Sequence, residues 1–256
     1  MRAELSALDA YGPISLDELE ATAGMLTRID RKYLVTWTVA EQLLTALAPT
    51  HRALEIDGRR VFTYRSMYLD SPSLGAFRAH TQQRRRRYKC RTRHYVDADL
   101  HMFEVKLKGL RGLTIKHRLA MPGAAPTDEA LSFATDCVEQ AYGCRPRDLR
   151  ECLTTEYRRV TLAGPASRMT LDFELHFRDV AGRSAALQDG YVIVESKTAR
   201  GPGAADLMLK RLGVRPVECS KYCVGVALLR GDVKGNGLRW LIRRYFTPAT
   251  LEPAHA

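Results

Sequence analysis

Polar and apolar residues alternate along three consecutive short segments in the middle of the chain. These segments read RYKCRTRHYV (87–96), HMFEVKLKG (101–109) and LTIKHRLAM (113–121). Because successive side chains of a strand point to opposite faces, each segment predicts a strand with one polar and one apolar face. Three more segments of strand character follow, TEYRRVTLAG (155–164), RMTLDFELHF (168–177) and GYVIVESKT (190–198). Together the segments predict a large antiparallel sheet.

Helical spacing and turn residues separate these strands. RKYLV (31–35) predicts a strand, followed by a helix at 38–47 with Thr38 as its N-cap. Asp57-Gly58 predicts a tight hairpin turn, and Pro72 is expected in the first turn of a short helix. Further helices are predicted from Thr127 to about Leu153, at 204–213, at 220–230 and at 237–246. With eight or nine strands in hairpin order, this arrangement indicates an α+β fold.

The predicted domain organisation is simple. Residues 1–20 are expected to form an N-terminal arm, either a short helix or a loose segment, and residues 248–256 a C-terminal tail. Residues 21–247 are expected to form a single domain. The length of 256 residues is enough to bury a sizeable core.

Cations dominate the polar faces of the predicted strands. Arg87, Lys89, Arg91 and Arg93 share one face of the first segment, and Glu104, Lys106 and Lys108 share one face of the second. A water-facing sheet also alternates, but like charges opposite each other destabilise a sheet, and a solvated face normally mixes signs. A bound anion explains the cationic face better. Curling this face inward gives a closed β-barrel with a charged interior, and eight strands leave room for side chains and one small ligand.

The composition agrees with an anionic partner. Lys and Arg number 40 against 29 Asp and Glu, so the formal net charge is +11, which leaves nucleic acid, membrane surfaces and free phosphates as candidates. The N-terminus lacks the apolar region of a secretory signal, no segment is long enough to span a bilayer, and the six cysteines form no CxxC pair. A cytoplasmic location is therefore expected. Glu104 and Glu195 stand out among the cations, because carboxylates beside phosphates usually hold a divalent metal.

In nine ordered pieces, the chain resembles the VTC domain, the polyphosphate polymerase domain within the CYTH-like triphosphate tunnel metalloenzymes. The pieces are RKYLV (31–35), MYLDSP (67–72), RRYKCRTRHY (86–95), FEVKLKG (103–109), TIKHR (114–118), EYRR (156–159), RMTLD (168–172), VIVESK (192–197) and RPVECSKY (215–222). The resemblance implies a closed, eight-stranded antiparallel tunnel barrel with helices packed around it. It also implies ATP as phosphate donor, inorganic polyphosphate as product, and Mn²⁺ or Mg²⁺ as cofactor.

The resemblance and the strand pattern together give the expected site residues. The catalytic candidates are Lys106, Arg91, Arg93 and Lys197. The phosphate-binding candidates are Lys32, Arg87, Lys89, Lys116, Arg158, Arg168, Ser220 and Lys221, with Tyr157 as a weaker one. The metal candidates are Glu195 and Glu104. Arg91 and Arg93 are expected to point inward, with Cys90 and Thr92 on the other face, and loss of either arginine is expected to weaken triphosphate binding without destabilising the fold.

One departure from the wider superfamily bears on the activity. The superfamily opens with an ExExK motif, whereas the corresponding residues of this chain read Arg28-Ile29-Asp30-Arg31-Lys32. VTC domains depart from the motif at the same place. The resemblance therefore favours a polymerase over a hydrolase. The alternatives are an inorganic or nucleoside triphosphatase of the same fold and a non-catalytic polyphosphate-binding module. Nucleic acid is not expected as the main ligand. A separate membrane protein is expected to carry any product that is translocated, which would place the chain at the inner face of a membrane.

Overall fold

The computed structural model describes residues 3–22, 29–109 and 114–251. Two compact units can be distinguished in it. Unit 1 comprises the described residues of Met1–Phe62, Arg158–Glu174 and Leu187–Cys219, and unit 2 those of Thr63–Tyr157, Leu175–Ala186 and Ser220–Ala256. Arg28, Leu113 and residues 252–256, which the sequence analysis mentions, lie outside the described residues.

Strands supply most of the regular structure. They are β1 Gly12–Ile14, β2 Ile29–Thr36, β3 Arg52–Leu54, β4 Phe62–Asp70, β5 Tyr88–Tyr95, β6 Leu100–Lys108, β7 Thr114–Met121, β8 Arg150–Gly164, β9 Ser167–Asp179, β10 Arg183–Ala186, β11 Tyr191–Thr198 and β12 Thr250–Leu251. The α-helices are α1 Leu16–Thr22, α2 Trp37–Leu47, α3 Gly75–Thr81, α4 Asp128–Tyr142, α5 Ala204–Arg211, α6 Lys221–Leu229 and α7 Arg239–Tyr245. Short 3-10 helices cover Ala3–Ala10, Val96–Ala98 and Asn236–Leu238.

In unit 1 the strands are ordered β2–β11–β9–β8–β3–β1. The β2–β11, β11–β9 and β3–β8 pairs are antiparallel, whereas β1 and β3 pair in parallel. Apolar side chains of β2, β9 and β11, among them Val35, Leu171 and Val194, pack against Leu43 and Leu44 of α2. Leu5 and Leu8 join the same core, so the described part of the N-terminal segment is helical and packed rather than loose.

In unit 2 the strands are ordered β12–β10–β9–β8–β4–β5–β6–β7. The alternation predicted for β5 and β6 determines which side chains of this sheet are buried. One core contains the apolar residues of both strands, Cys90, Phe103, Val105 and Leu107. Their partners come from α4: Ala130, Ala134, Cys137 and Val138. One face of β5 and β6 is therefore covered by a helix, and the cationic side chains take the other face.

These pairings confirm an α+β fold with a large antiparallel sheet and helices. Among the described residues the pairings do not form a closed ring, so the closed eight-stranded barrel stays a prediction. Within the same ranges, none of the helices is both long and apolar enough to cross a membrane.

Three local predictions were wrong in their boundaries. The helix predicted from Thr127 to about Leu153 ends at Tyr142, where Gly143 takes a left-handed conformation, and 150–153 belong to β8. Thr36 caps α2 in place of Thr38, its hydroxyl accepting a hydrogen bond from Val39 N over 3.4 Å.

Pro72 lies outside the helix that it was expected to open, because α3 begins only at Gly75. The carboxylate of Asp70, at the end of β4, accepts hydrogen bonds from Ala76 N at 2.8 Å and Phe77 N at 2.9 Å. Asp70 also accepts a hydrogen bond from Tyr222 OH. The carboxylate of Asp70 thus accepts the hydrogen bonds of backbone N–H groups in the first turn of α3, a role usually taken by the side chain of the N-cap residue.

Candidate functional site

The register of β5, β6 and β7 places charged side chains in rows across three neighbouring strands of unit 2. One row consists of Lys89, Lys106 and Lys116, which are directly paired residues. Three lysines side by side repel one another, so the row needs either an anion or loss of protons to be stable. The next row, two residues along the strands, reads Arg91, Glu104 and Arg118.

Glu104 forms the centre of this cluster and is fully buried. Arg91 Nε donates to Glu104 Oε2 over 2.7 Å, Lys116 Nζ contacts Oε1, and Arg118 Nε lies 3.5 Å from Oε1. Burial alone would raise the pKa of the Glu104 carboxyl, but the nearby cations, Arg91 foremost, hold it well below its usual range. Glu104 is therefore ionised and held by cations on two adjacent strands.

The same surroundings that keep Glu104 charged favour the neutral forms of Lys106 and Lys116. Burial, only partly offset by Glu104, lowers the pKa of Lys116 from 10.5 to about 6. The charge of Arg91, together with burial, lowers the pKa of Lys106 well below its usual range. Arginine cannot give up its proton, so Arg91 stays charged and keeps Glu104 ionised. Burial and the charge of Arg91 favour the neutral forms of the two lysines. The cluster is short of negative charge, which is the condition that a bound polyanion would relieve.

Arg93 lies two residues beyond Arg91 on the same face of β5 and is buried. Its guanidinium donates to Tyr157 OH over 2.8 Å and to Ser66 Oγ over 3.3 Å, and it covers the Tyr64 ring at 5.3 Å. Tyr64 and Tyr157 stack with ring centroids 5.5 Å apart. Neutral hydroxyls and aromatic rings thus contribute to the orientation of this arginine.

The start of α6 brings two more predicted residues into unit 2. Ser220 is the N-cap of α6, and its hydroxyl accepts a hydrogen bond from Lys89 Nζ over 2.8 Å. Lys221 Nζ lies 4.4 Å from the centroid of the Tyr157 ring. Arg87 lies just before β5, and its guanidinium donates to the carbonyl of Arg84. The structure therefore joins Ser220 and Lys221 to the strand cations and leaves Arg87 at the margin.

Unit 1 holds a second group of predicted residues around Glu195. Glu195 is directly paired with Lys32 on β2 and with Thr170 on β9. Its Oε1 lies 3.8 Å from Lys32 Nζ and 3.6 Å from Lys197 Nζ. The side chain keeps 14% exposure. Two lysines approach this carboxylate at distances longer than good hydrogen bonds, and the side chain is not fully buried.

Arg168 and Arg158 lie in the same unit with other contacts. Arg168 pairs with Lys197 across β9 and β11, and its guanidinium donates to the Leu19 carbonyl over 2.6 Å. Arg158 Nη1 is 3.5 Å from a carboxylate oxygen of Glu174, and its guanidinium covers the Phe173 ring. Each guanidinium is oriented in part by these neighbours.

Comparison with known protein families identifies the chain. The model of the VTC domain matches residues 27–230. The chain belongs to the VTC domain family. Among curated proteins, no significant sequence match was found.

Solved structures resemble this VTC domain at low identity. The PH1819 protein from Pyrococcus horikoshii OT3 is 12% identical, with a TM-score of 0.46 over 78% of this chain and 98% of that one. A Hippeastrum protein named as an adenylyl cyclase, and described as having a dominant triphosphatase activity, is 16% identical, with a TM-score of 0.44 over 81% and 98%. A Vibrio parahaemolyticus protein named as an adenylate cyclase is 14% identical, with a TM-score of 0.39 over 73% and 83%.

The two candidate metal ligands of this VTC domain, Glu195 and Glu104, are not equally suited to bind a metal ion. A Mg²⁺ or Mn²⁺ ion at a phosphate site is usually held by one or two carboxylates together with phosphate oxygens. Glu195 fits this role, because its lysine contacts are long and part of its side chain is exposed. Glu104 fits poorly, because Arg91 and Lys116 contact both of its oxygens.

Sequence reasoning missed the neutral and acidic residues that orient the cations. Tyr68 OH accepts a hydrogen bond from Arg91 over 3.1 Å, and Ser66 Oγ accepts one from Arg93. Arg159 forms a bidentate pair with the buried Asp172, at 2.6 and 2.8 Å. The register of β4 against β5 pairs Ser66 with Arg93 and Tyr68 with Arg91, and the sequence alone gives no signal for that pairing.

Proposed function

We propose that this VTC domain is a metal-dependent polyphosphate polymerase, which transfers the terminal phosphate of ATP to a growing polyphosphate chain. The observation that carries the proposal is the charge arrangement on β5, β6 and β7, where one buried carboxylate shares a face with three lysines and three arginines. A linear chain of phosphates supplies closely spaced negative charges to such a row. Charge-assisted hydrogen bonds to phosphate oxygens are stronger than those between neutral groups.

The cations have two roles in this proposal. Lys106, Arg91, Arg93 and Lys197 neutralise the charge that develops on the transferred phosphoryl group, which is the main task of a protein in phosphoryl transfer. The remaining predicted residues bind other phosphates: Lys32, Arg87, Lys89, Lys116, Arg158, Arg168, Ser220 and Lys221. Glu104 takes a positioning role, because its contact with Arg91 fixes the guanidinium.

Glu195 would hold the divalent ion. When bound, Mg²⁺ or Mn²⁺ supplies Lewis-acid stabilisation of phosphate oxygens. An oxygen of the terminal phosphate of the growing chain attacks the γ-phosphorus of ATP in line. The bond from that phosphorus to the β,γ-bridging oxygen breaks, and ADP leaves with its electron pair. Lys32 and Lys197 lie close enough to Glu195 to orient phosphates beside it. The closed eight-stranded barrel, the cytoplasmic location and a separate membrane partner are part of the same proposal and follow from the family resemblance.

Product analysis tests the activity. The purified protein is incubated with ATP and Mn²⁺, and the products are resolved by gel electrophoresis and a phosphate assay. Long polyphosphate is the expected result. Free phosphate without polymer would instead identify a triphosphatase, and neither product would identify a binding module. Glu41→Gln, at an exposed carboxylate on α2, is the matched control for Glu195→Gln in the same assay.

Ligand competition tests the substrate class. Duplex readers present their cations on an exposed helix or ribbon, whereas here they alternate on strands with a buried acid between them. Unlabelled tripolyphosphate should displace labelled triphosphate far better than duplex DNA does at physiological salt. Equal displacement by DNA would contradict the proposed substrate class.

A further inference from the structure

A group of metal-binding side chains occupies the far end of the β5–β6 hairpin in unit 2, away from the cationic rows. His94 of β5 and His101 of β6 are directly paired residues, and Asp99 lies in the turn between the strands. One ligand atom from each residue lies within 4.8 Å of the other two. None of the three belongs to the residues assigned above to phosphate or to the catalytic ion.

The geometry matches a tetrahedral ion. His94 Nε2 is 3.1 Å and His101 Nε2 is 3.5 Å from the same oxygen, Asp99 Oδ1. Ligand atoms held about 2.1 Å from a tetrahedral zinc ion lie about 3.4 Å apart. Both separations are close to this value. The stacked rings lie in nearly parallel planes, so each ring must turn about its Cβ–Cγ bond to direct its Nε2 lone pair to a shared ion.

The two imidazole rings are held together by stacking and by a shared contact with Asp99. The two imidazoles stack with centroids 4.0 Å apart and planes inclined by 14°, so both Nε2 atoms point to one carboxylate. His101 Nδ1 is buried without a hydrogen-bond partner, so no contact on that side directs the ring. Asp99 is 89% exposed, which leaves an approach from solvent and room for a water ligand.

We propose that His94, Asp99 and His101 form a zinc site that clamps the end of the β5–β6 hairpin. Two imidazoles and one carboxylate favour zinc over Mg²⁺ or Mn²⁺, because imidazole suits the softer transition metals. Three protein ligands leave a fourth position for water. The same two strands carry Arg91, Arg93 and Glu104, so a bound ion would stiffen the hairpin that presents those groups. The inference does not depend on the polymerase activity.

Titration of the full chain with zinc chloride tests the site. The Glu195→Gln background removes the carboxylate proposed for the catalytic ion. One zinc ion per chain should bind by calorimetry, and Asp99→Asn, which changes an exposed side chain, should weaken binding at least about tenfold, as even supporting groups of metal sites do. His94→Gln should act in the same direction. His176→Gln, at an exposed histidine on β9, is the matched control and should leave binding unchanged.

Two further readouts separate this site from other zinc ligands. Co²⁺ in the same site should give the visible spectrum of a tetrahedral ion without the charge-transfer band of thiolate ligands, which excludes the six free cysteines. Zinc should raise the melting temperature of the parent chain but not that of Asp99→Asn, because only the folded state binds it. Equal zinc affinity in the parent and Asp99→Asn would overturn the proposal, as would a thiolate band.

Discussion

Two glutamates occupy comparable positions in the two units, each on a strand and flanked by cations, yet their surroundings differ. Glu104 is fully buried, and both of its oxygens contact a cation on a neighbouring strand. Glu195 keeps partial exposure, and two lysines approach its carboxylate at 3.6 and 3.8 Å. The residue paired with Glu104 on β5 is an arginine, whereas the residue paired with Glu195 on β2 is a lysine.

The partner therefore decides what each carboxylate can do. A planar guanidinium forms a close, oriented pair and keeps its charge, whereas an ammonium group on a flexible stem stays well hydrated and is easily displaced. Glu104 is best suited to fix Arg91, and Glu195 is best suited to bind an ion. Each of the following substitutions tests one side of this comparison.

Glu104→Gln should have the largest effect, and the effect should be on stability. The substitution leaves Arg91 buried without its carboxylate, and removing one member of a buried ion pair typically costs about 3–5 kcal/mol. The free energy of unfolding, measured with urea, should fall by that amount. Glu195→Gln should lower it by less than about 1 kcal/mol, as expected for long, partly solvated pairs. Similar losses in the two variants would contradict the difference between the carboxylates.

Glu195→Gln should have the largest effect on turnover while the fold is kept. A neutral amide holds a divalent ion poorly, and loss of one electrostatic contact to a transition state typically costs about a hundredfold in rate. Polymer formation is measured at subsaturating Mn²⁺, with Glu41→Gln as the control. Turnover equal to that of the parent chain would remove Glu195 from the metal site.

Strand alternation predicted the buried face of β5 and β6 correctly because the rule depends only on local geometry. Cys90, Phe103 and Val105 pack on α4, as the period of two requires. Two of the predicted phosphate-binding residues, Ser220 and Lys221 at the start of α6, came from the family resemblance, since nothing local relates them to β5.

Pairing between distant strands could not be predicted from a single sequence. The expectation that loss of either arginine would leave stability intact treated Arg91 and Arg93 alike. The register instead places Glu104 beside Arg91, and Met102 beside Arg93. Their hydroxyl partners, Tyr68, Ser66 and Tyr157, come from β4 and β8, which only the folded sheet brings near.

Arg93→Ala should weaken triphosphate binding, because Arg93 lies on the cationic face of β5. A charge-assisted hydrogen bond contributes about 1.5–3 kcal/mol, which corresponds to about tenfold to a hundredfold in affinity. Thr92→Ala, one residue away on the opposite face, should change binding little. Calorimetry with tripolyphosphate measures both variants. If Thr92→Ala cost as much affinity as Arg93→Ala, the assignment of the cationic face to the ligand would be wrong.

The smallest expected effect is the uptake of a proton by Lys116 when triphosphate binds. Its pKa in the ligand-free fold is about 6, because burial outweighs the attraction of Glu104 and because Arg91 repels its charge. At pH 7.5 the ligand-free side chain is therefore mainly neutral. A bound triphosphate favours the charged form, so binding should take up as much as about one proton from this group. Calorimetry in buffers of different ionisation enthalpy measures the uptake, which should fall in Lys116→Met and persist in Lys32→Met.

The same shift fixes how the stability of the ligand-free protein depends on pH. An unfolded chain holds its lysine proton up to about 10.5, so between pH 6 and 10.5 the unfolded state binds more protons than the folded state. Stability contributed by this group should therefore rise with pH across that window and level off below about pH 6, where both states are protonated. Lys106 acts in the same direction, since its pKa is also lowered. Urea unfolding at pH 6.5 and 8.5 measures the slope, and Lys116→Met should reduce it. A slope of equal size in Lys116→Met and the parent chain would mean that Lys116 stays charged in the ligand-free fold, and the row of three lysines would then tolerate its own repulsion without an anion.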